Sequence, residues 1–183
     1  MAERRGALIV YATTSGATAE VARLIADALR HPDRVTFDLR NLDVDATLLP
    51  PGQFELVVAG TPTYGKGDWH SAWQRHGGRV VPLLRSAARV MLFGLGDARG
   101  HAATFAGGLR MLHDFVVEAG VRPLGPPQPS PAGRVPDPVP VPPPAGLAIE
   151  YRRNRRAAPE AIREWLSACL GDDVALRAER PVI

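Results

Sequence analysis

The chain has 183 residues, 45% of them hydrophobic and 22% charged, with a formal net charge of +3. These values are typical of a single globular domain that buries a full-sized core. No apolar stretch approaches the roughly 18 residues of a membrane span, and the one cysteine, Cys169, excludes an internal disulfide. The first residues lack the apolar core of a signal peptide, so we expect a cytoplasmic protein without membrane contacts. Its arginines are interspersed with acidic residues, a pattern that does not indicate nucleic-acid binding.

The first predicted element is a strand that ends in a loop rich in hydroxyl groups, residues 13–18. Apolar residues then recur over 21–29 at the spacing of a helix with one buried face. The start of such a helix suits a phosphate, because its free N–H groups and dipole attract an anion and Gly16 permits close approach of the backbone. The loop contains no lysine or arginine, so we expect neutral hydrogen bonds to hold any phosphate. The alternative is an ordinary helix N-cap at Thr14 or Ser15.

Strands and helices alternate through the rest of the chain. Further strands are predicted at 34–40, 54–60, 88–95 and, in two parts, 121–125 and 146–151. Further helices are predicted at 69–86, 102–119 and 159–171, the first of them interrupted at Gly77, Gly78 and Pro82. This alternation predicts a three-layer α/β/α fold in which helices cover both faces of a parallel sheet.

Two stretches depart from this pattern, one rich in proline and one in arginine. Residues 123–144 hold most of the 18 prolines, which predicts a loop of polyproline character. We expect one domain over 1–171, with 126–144 as an inserted loop and 172–183 as a C-terminal tail. The insertion is either a passive linker or a docking element for a domain that binds polyproline. The arginine-rich stretch, Arg152–Arg156, is either a solvated loop or part of a partner-binding surface.

Three predicted strands end in loops rich in glycine, threonine or serine, at 13–18, 61–67 and 96–100. The carboxyl ends of parallel strands lie at one edge of a sheet, and ligands bind there at the point where the strand order reverses. We therefore expect the three loops to form one composite site.

The same three loops carry motifs of a known family. Thr13-Thr-Ser-Gly-Ala-Thr18 resembles the Ser/Thr-x-Ser/Thr-Gly-x-Thr phosphate loop of flavodoxins. Gly60-Thr-Pro-Thr-Tyr-Gly65 is similar to the first flavin loop of that family. Phe93-Gly-Leu-Gly-Asp97, followed by Gly100 and His101, is similar to the second flavin loop.

Gly146-Leu-Ala-Ile-Glu150 resembles the closing segment of the long-chain subgroup of flavodoxins. The resemblance covers residues 6–170. It implies a five-stranded parallel sheet in the order 2-1-3-4-5 with one FMN as cofactor.

The resemblance also implies roles for individual residues toward FMN. Loop 13–18 would hold the phosphate, Tyr64 would stack on the inner face of the flavin, and His101 would take the place of the outer stacking aromatic. Asp97 would bind the pyrimidine edge through hydrogen bonds, and Thr104 stands where the family often has asparagine. The expected cofactor-binding residues are Thr13, Thr14, Ser15, Gly16, Ala17, Thr18, Thr61, Pro62, Thr63, Tyr64, Gly65, Lys66, Gly94, Leu95, Gly96, Asp97, Gly100, His101 and Thr104.

The implied function is that of a low-potential electron carrier rather than an enzyme, with no catalytic residue and no metal. The implied partners are a flavin- or NADPH-linked reductase as donor and an acceptor enzyme, and the carrier is expected to be a monomer. Flavodoxins are usually acidic, so the basic charge of this chain implies an acidic partner surface. Two alternatives stay open: an FMN-dependent NAD(P)H:quinone reductase of the same fold, and a regulatory or binding module that holds no flavin.

Overall fold

The structure, a computed structural model, describes residues 6–29, 31, 33–42, 50–97, 104–125 and 145–171. Within these ranges the strands are β1 (Gly6–Tyr11), β2 (Arg34–Asp38), β3 (Phe54–Pro62), β4 (Arg89–Leu95) and β5 (Leu147–Ile149). The helices are α1 (Ala17–Leu29), α2 (Ser71–Ser86), α3 (Gly107–Glu118) and α4 (Ala158–Leu170), with a 3-10 turn at Leu39–Asn41 after β2. The strands form one parallel sheet in the order β2-β1-β3-β4-β5. This confirms the predicted strand order.

Helices cover both faces of the sheet, so the core has two halves. Helices α1 and α4 pack on one face, where Ile25, Ile162 and Trp165 are buried. Helices α2 and α3 pack on the other face, around buried Trp73 and Leu112. The central strands are buried on both faces, which explains their continuous apolar sequences.

Helix α2 is continuous, whereas the sequence predicts an interruption at Gly77, Gly78 and Pro82. Gly78 and Pro82 both lie on the exposed side of the helix. The carbonyl of Gly78, which would bond to the N–H that Pro82 lacks, therefore faces solvent and water can satisfy it. Gly77 lies on the buried side, where a Cβ atom would come within 3.0 Å of the Phe115 ring. Burial of this face overrides the low helix propensity of the three residues.

Helix α3 begins at Gly107, five residues later than the predicted start at 102. Residues 98–103 lie outside the described residues. Ala106, the N-cap, has a left-handed backbone (φ 57°), which is incompatible with a helix that continues through it. The delayed start brings Gly107 and Gly108 against the loop that follows β3.

The fifth strand is split, as predicted. Leu124 forms an isolated parallel bridge with Met91, and β5 pairs with β4 at Phe93–Leu95. The inserted loop 126–144 and the tail 172–183 lie outside the described residues. None of the helices in the described ranges has the length and apolar character that crossing a membrane requires.

Candidate functional site

The carboxyl ends of the strands surround an open groove of about 400 Å³. Its walls come from the start of α1, the loops after β3 and β4, and the turn after β5. The lining residues are Ser15, Ala17, Thr18, Pro62, Thr63, Tyr64, Leu95, Gly96, Asp97, Glu150, Tyr151, Arg152 and Arg153. A groove of this size is in the range that holds small-molecule cofactors.

The loop between β1 and α1 folds back on itself before the helix starts. The backbone N–H of Gly16 donates to Oγ1 of Thr13 at 3.0 Å, and Gly16 has a positive φ of 85°. Thr13 and Thr18 are buried, whereas Thr14 and Ser15 are exposed. The first N–H groups of a helix have no partner within it, so the start of α1 presents donors and a positive dipole to the groove.

The loop after β3 is closed by backbone hydrogen bonds between Tyr64 and Asp68. The N–H of Tyr64 donates to the Asp68 carbonyl at 2.8 Å, and the N–H of Asp68 donates to the Tyr64 carbonyl at 2.9 Å. Gly65 and Gly67, with φ of 48° and 110°, make this tight reversal possible. As a result Tyr64 stands at the edge of the groove with 39% of its surface exposed.

Helix α3 fixes the position of this loop. A Cβ atom on Gly107 would lie 2.6 Å from the Cα and carbonyl oxygen of Gly67, so only glycine allows the two backbones to approach this closely. The N–H of Gly108 donates to Oγ1 of Thr63 at 3.1 Å. The loop is therefore a rigid wall of the groove.

A chain of side-chain hydrogen bonds links the two loops through His70. The hydroxyl of Tyr64 donates to Oγ1 of Thr14 at 2.9 Å, and Nε2 of His70 lies 3.0 Å from the same oxygen. Nδ1 of His70 caps α2 by accepting the N–H of Ala72 at 3.0 Å. A neutral imidazole that accepts at Nδ1 carries its proton on Nε2, so His70 donates to Thr14.

The same packing keeps His70 neutral. Burial lowers its pKa below the ordinary value of 6.5, the cations of Arg40 and Arg75 act in the same direction, and Asp38 opposes them. The backbone N–H of His70 donates to Oγ1 of Thr61 at 3.1 Å. Since Thr14 receives two hydrogen bonds, its own hydroxyl proton is directed away from Tyr64 and His70.

The loop after β4 completes the groove. The N–H of Gly96 donates to the Ile149 carbonyl at 3.2 Å, which fastens this loop to β5. Nη2 of Arg153 lies 3.5 Å from Oδ2 of Asp97, and its Nε lies 3.6 Å from Oε1 of Glu150. One guanidinium thus stands between two carboxylates at the wall of the groove.

The structure brings most of the predicted residues to this groove. Those that line it are Ser15, Ala17, Thr18, Pro62, Thr63, Tyr64, Leu95, Gly96 and Asp97. Thr61 is fully buried, and its hydroxyl accepts from His70 and donates to the carbonyl of Pro62. Gly94 lies beneath α3, where a Cβ atom would come within 2.5 Å of the Leu109 side chain. Thr61 and Gly94 therefore do not line the groove but hold the β3 loop and helix α3 in place beneath it.

Other predicted residues have different positions. Thr13, Thr14 and Gly16 form the loop before α1 beside Ser15, with Thr13 buried and Thr14 exposed. Gly65 and Lys66 are exposed in the loop after β3, and Thr104 lies near Gly67. Gly100 and His101 lie outside the described residues, so their roles stay predictions.

Four lining residues were not predicted from the sequence: Glu150, Tyr151, Arg152 and Arg153. They follow β5, which is also a parallel strand, so its carboxyl end lies at the same edge of the sheet as the other loops. Nη2 of Arg152 donates to Oγ of Ser15 at 2.9 Å. The loop 13–18 itself is uncharged, but two arginines from the turn after β5 line the same groove.

Comparisons with known proteins agree with this architecture. The sequence model of the family described as Flavodoxin matches residues 9–165. Flavodoxin 2 of Escherichia coli (strain K12) is 28% identical over 168 residues, which cover 90% of this chain and 94% of that protein. Flavodoxin 2 of Salmonella typhi is 32% identical over 121 residues, 64% of this chain and 65% of that protein.

Among solved structures, the crystal structure of Fusobacterium nucleatum flavodoxin bound to flavin mononucleotide is 27% identical, with a TM-score of 0.70. The similarity covers 88% of this chain and 95% of that one. The family match spans β3, β4 and all four segments that surround the groove. This chain belongs to the flavodoxin family.

Proposed function

We propose that this protein is an electron carrier that binds one FMN non-covalently in the groove. The observation that supports this most directly is the convergence of a helix N-terminus and an exposed aromatic ring on one open groove of about 400 Å³. These are the two features that a ligand with a phosphate at one end and a flat aromatic ring at the other requires.

The residues at the start of α1 suit the phosphate end. The N–H groups of the first helical turn are free to donate, and the exposed hydroxyls of Thr14 and Ser15 add two donors. Thr14 accepts from both Tyr64 and His70, so its proton is available to an anion in the loop.

Tyr64 suits the ring end. It is one of three large apolar side chains that are exposed among the described residues. Its hydroxyl is tethered to Thr14, and its backbone is held by the hydrogen bonds to Asp68. A ring held in this way offers a flat face to a flavin and loses little conformational entropy on binding.

FMN would supply the one- and two-electron chemistry, and the protein would orient it and tune its environment. Among the described residues that line the groove, no nucleophilic side chain is paired with a general base that could act on a second substrate. Electron transfer to and from partner proteins therefore fits this site better than a reaction on a bound substrate.

The absorption spectrum of the purified protein tests this proposal. We expect flavin bands in the visible region, and heat or acid should release FMN that is not covalently attached. The protein should pass electrons from a reductase to an acceptor, but it should not oxidise NADPH rapidly with a quinone when no reductase is present. Rapid oxidation under those conditions would identify a quinone reductase, and a colourless protein that binds no added FMN would identify a module without flavin.

We also propose that the redox partners present acidic faces to the mouth of the groove. Lys66 and the arginines at 152, 153, 155 and 156 are all exposed near it. Opposite charges on a partner would raise the rate of association, and salt would screen the effect. Electron-transfer rates should then fall as ionic strength rises, whereas a partner with a basic face would show the opposite trend.

A further inference from the structure

Arg152 reaches across from the turn after β5 to the loop before α1. Its Nη2 lies 2.9 Å from Oγ of Ser15, a residue 137 positions earlier in the chain. Both side chains line the same groove. A guanidinium therefore stands beside the N-terminus of α1, where two sources of positive potential coincide.

Two of the arginines near Arg152, Arg153 and Arg155, have acidic partners. Arg153 lies within ion-pair distance of Asp97 and Glu150, and Arg155 lies 3.8 Å from Glu20. Within the part of the chain that the structure describes, the contact of Arg152 is instead with the neutral hydroxyl of Ser15. Its charge at the groove is thus not matched by a carboxylate in that part of the chain.

The turn that carries Arg152 is attached to α1 independently of this contact. Tyr151 is buried, and its hydroxyl donates to Oε2 of Glu20 in the first turn of α1 at 2.7 Å. The guanidinium of Arg155 lies 5.5 Å from the centre of the Tyr151 ring. Since Tyr151 immediately precedes Arg152, this hydrogen bond fastens the turn that carries Arg152 to the start of α1.

The direction of the hydrogen bond also matters. A guanidinium can only donate, so Oγ of Ser15 accepts and the hydroxyl proton of Ser15 stays available as a donor. The remaining N–H groups of Arg152, the hydroxyl of Ser15 and the first backbone N–H groups of α1 are therefore donors at the wall of one groove. A doubly charged phosphate is the part of FMN that uses such a set of donors.

We propose that Arg152 binds the phosphate of FMN and makes the site selective for the phosphorylated flavin over riboflavin. This inference rests on the proposed function, because it assigns the phosphate to the loop before α1. The uncharged loop would provide the hydrogen bonds, and Arg152 would provide the opposite charge from another segment of the chain. Arg152→Gln should lower the affinity for FMN about tenfold, since a charge-assisted hydrogen bond is lost at an exposed site.

Titration of the flavin-free protein with FMN and with riboflavin, followed by flavin fluorescence, tests this proposal. Arg152→Gln should weaken FMN binding and leave riboflavin binding unchanged. Arg152→Lys, which keeps the charge but loses the planar fork, should bind FMN with intermediate affinity. Arg156→Gln is the matched control, because it removes the same charge from the same arginine-rich stretch, at a residue that does not line the groove. That variant should bind both flavins as the wild type does.

Inorganic phosphate gives a second readout that does not depend on the flavin ring. Phosphate should raise the melting temperature of the flavin-free wild type more than that of Arg152→Gln. Equal losses for FMN and riboflavin in Arg152→Gln, or no loss for either, would overturn the proposal. A wild-type protein that binds neither flavin would instead contradict the proposed function.

Discussion

His70 and Thr14 are 56 positions apart, and Nε2 of the histidine lies 3.0 Å from Oγ1 of the threonine. This contact joins the N-cap of α2 to the loop before α1. The cap on α2 depends on the neutral form of His70, because a protonated Nδ1 could no longer accept the N–H of Ala72. A single buried imidazole therefore couples the start of α2 to the geometry of the groove.

The first prediction concerns the pH dependence of folding. The pKa of His70 is lowered in the folded protein. Below about pH 6.5, therefore, His70 is protonated in the unfolded chain but stays neutral in the folded protein until the pH reaches its lowered pKa. The free energy of unfolding should therefore decrease as the pH falls below that value. The loss attributable to His70 should be complete once the pH is below the pKa of the folded form.

Urea denaturation at about pH 7.5 and about pH 5.5 measures this effect. His70→Asn retains an oxygen that can cap α2 but cannot titrate, so it should lose less stability between the two pH values. The other histidines are common to both proteins and cancel in the comparison. An equal loss in both would show that His70 does not cause the pH dependence.

The second prediction separates two roles of Tyr64. Tyr64→Phe removes the hydrogen bond to Thr14 but keeps the ring, so it should lower folding stability by about 0.5–1.5 kcal/mol and weaken FMN binding by less than this. Tyr64→Ala also removes the ring and should cost FMN binding roughly 0.5–1.5 kcal/mol more than Tyr64→Phe does. Fluorescence titration with FMN measures both affinities, and urea denaturation measures the stability. Equal affinities of the two variants would mean that the ring does not contact the flavin.

The third prediction concerns the two glycines of α2. Gly78 is exposed, and a Cβ atom added to it would have no neighbouring atom within 4 Å, so Gly78→Ala should stabilise the protein by about 0.5–1 kcal/mol. Gly77→Ala gains the same helix propensity, but its Cβ atom would press on the Phe115 ring at 3.0 Å. Its stability in urea should therefore lie below that of Gly78→Ala. The reverse order would show that Phe115 adjusts without cost.

The fourth prediction concerns the redox potential. Arg153 lies between Asp97 and Glu150, and its removal leaves the wall of the groove more negative. Reduction adds negative charge to the flavin, so Arg153→Gln should make the midpoint potential more negative, by on the order of 1 kcal/mol per electron. Arg156→Gln serves as the control for a change in total charge alone. A potential that shifts equally in both variants would exclude a local role for Arg153.

Much of the fold follows from local patterns in the sequence. The apolar runs of β1, β3 and β4 are long and bounded by turn residues, and their shared direction places three loops at one edge of the sheet. Those loops are continuous in sequence, so their motifs identify the family before any contact is known. For the same reason most of the predicted lining residues do line the groove.

The contacts that complete the site connect distant parts of the chain, and no local pattern indicates them. His70 lies beside a turn and gives no sign that it contacts Thr14, and Arg152 belongs to an arginine cluster that is equally compatible with a solvated loop. In helix α2 the local pattern misleads instead. The helix propensities of its glycines and proline predict an interruption, but burial of one helix face keeps the helix continuous. The stacking role of His101 stays a prediction.

The two glycines that flank the split in the fifth strand place its ends side by side. A Cβ atom on Gly125 would lie 3.5 Å from the backbone nitrogen of Gly146. Any sequence inserted between these two glycines therefore leaves the sheet and rejoins it at nearly the same position. The entropic free-energy cost of closing such an inserted loop grows by only about 0.6 kcal/mol for each doubling of its length. Evolution, or a protein engineer, can therefore exchange the sequence carried there for one of another length without moving the strands that hold the cofactor groove.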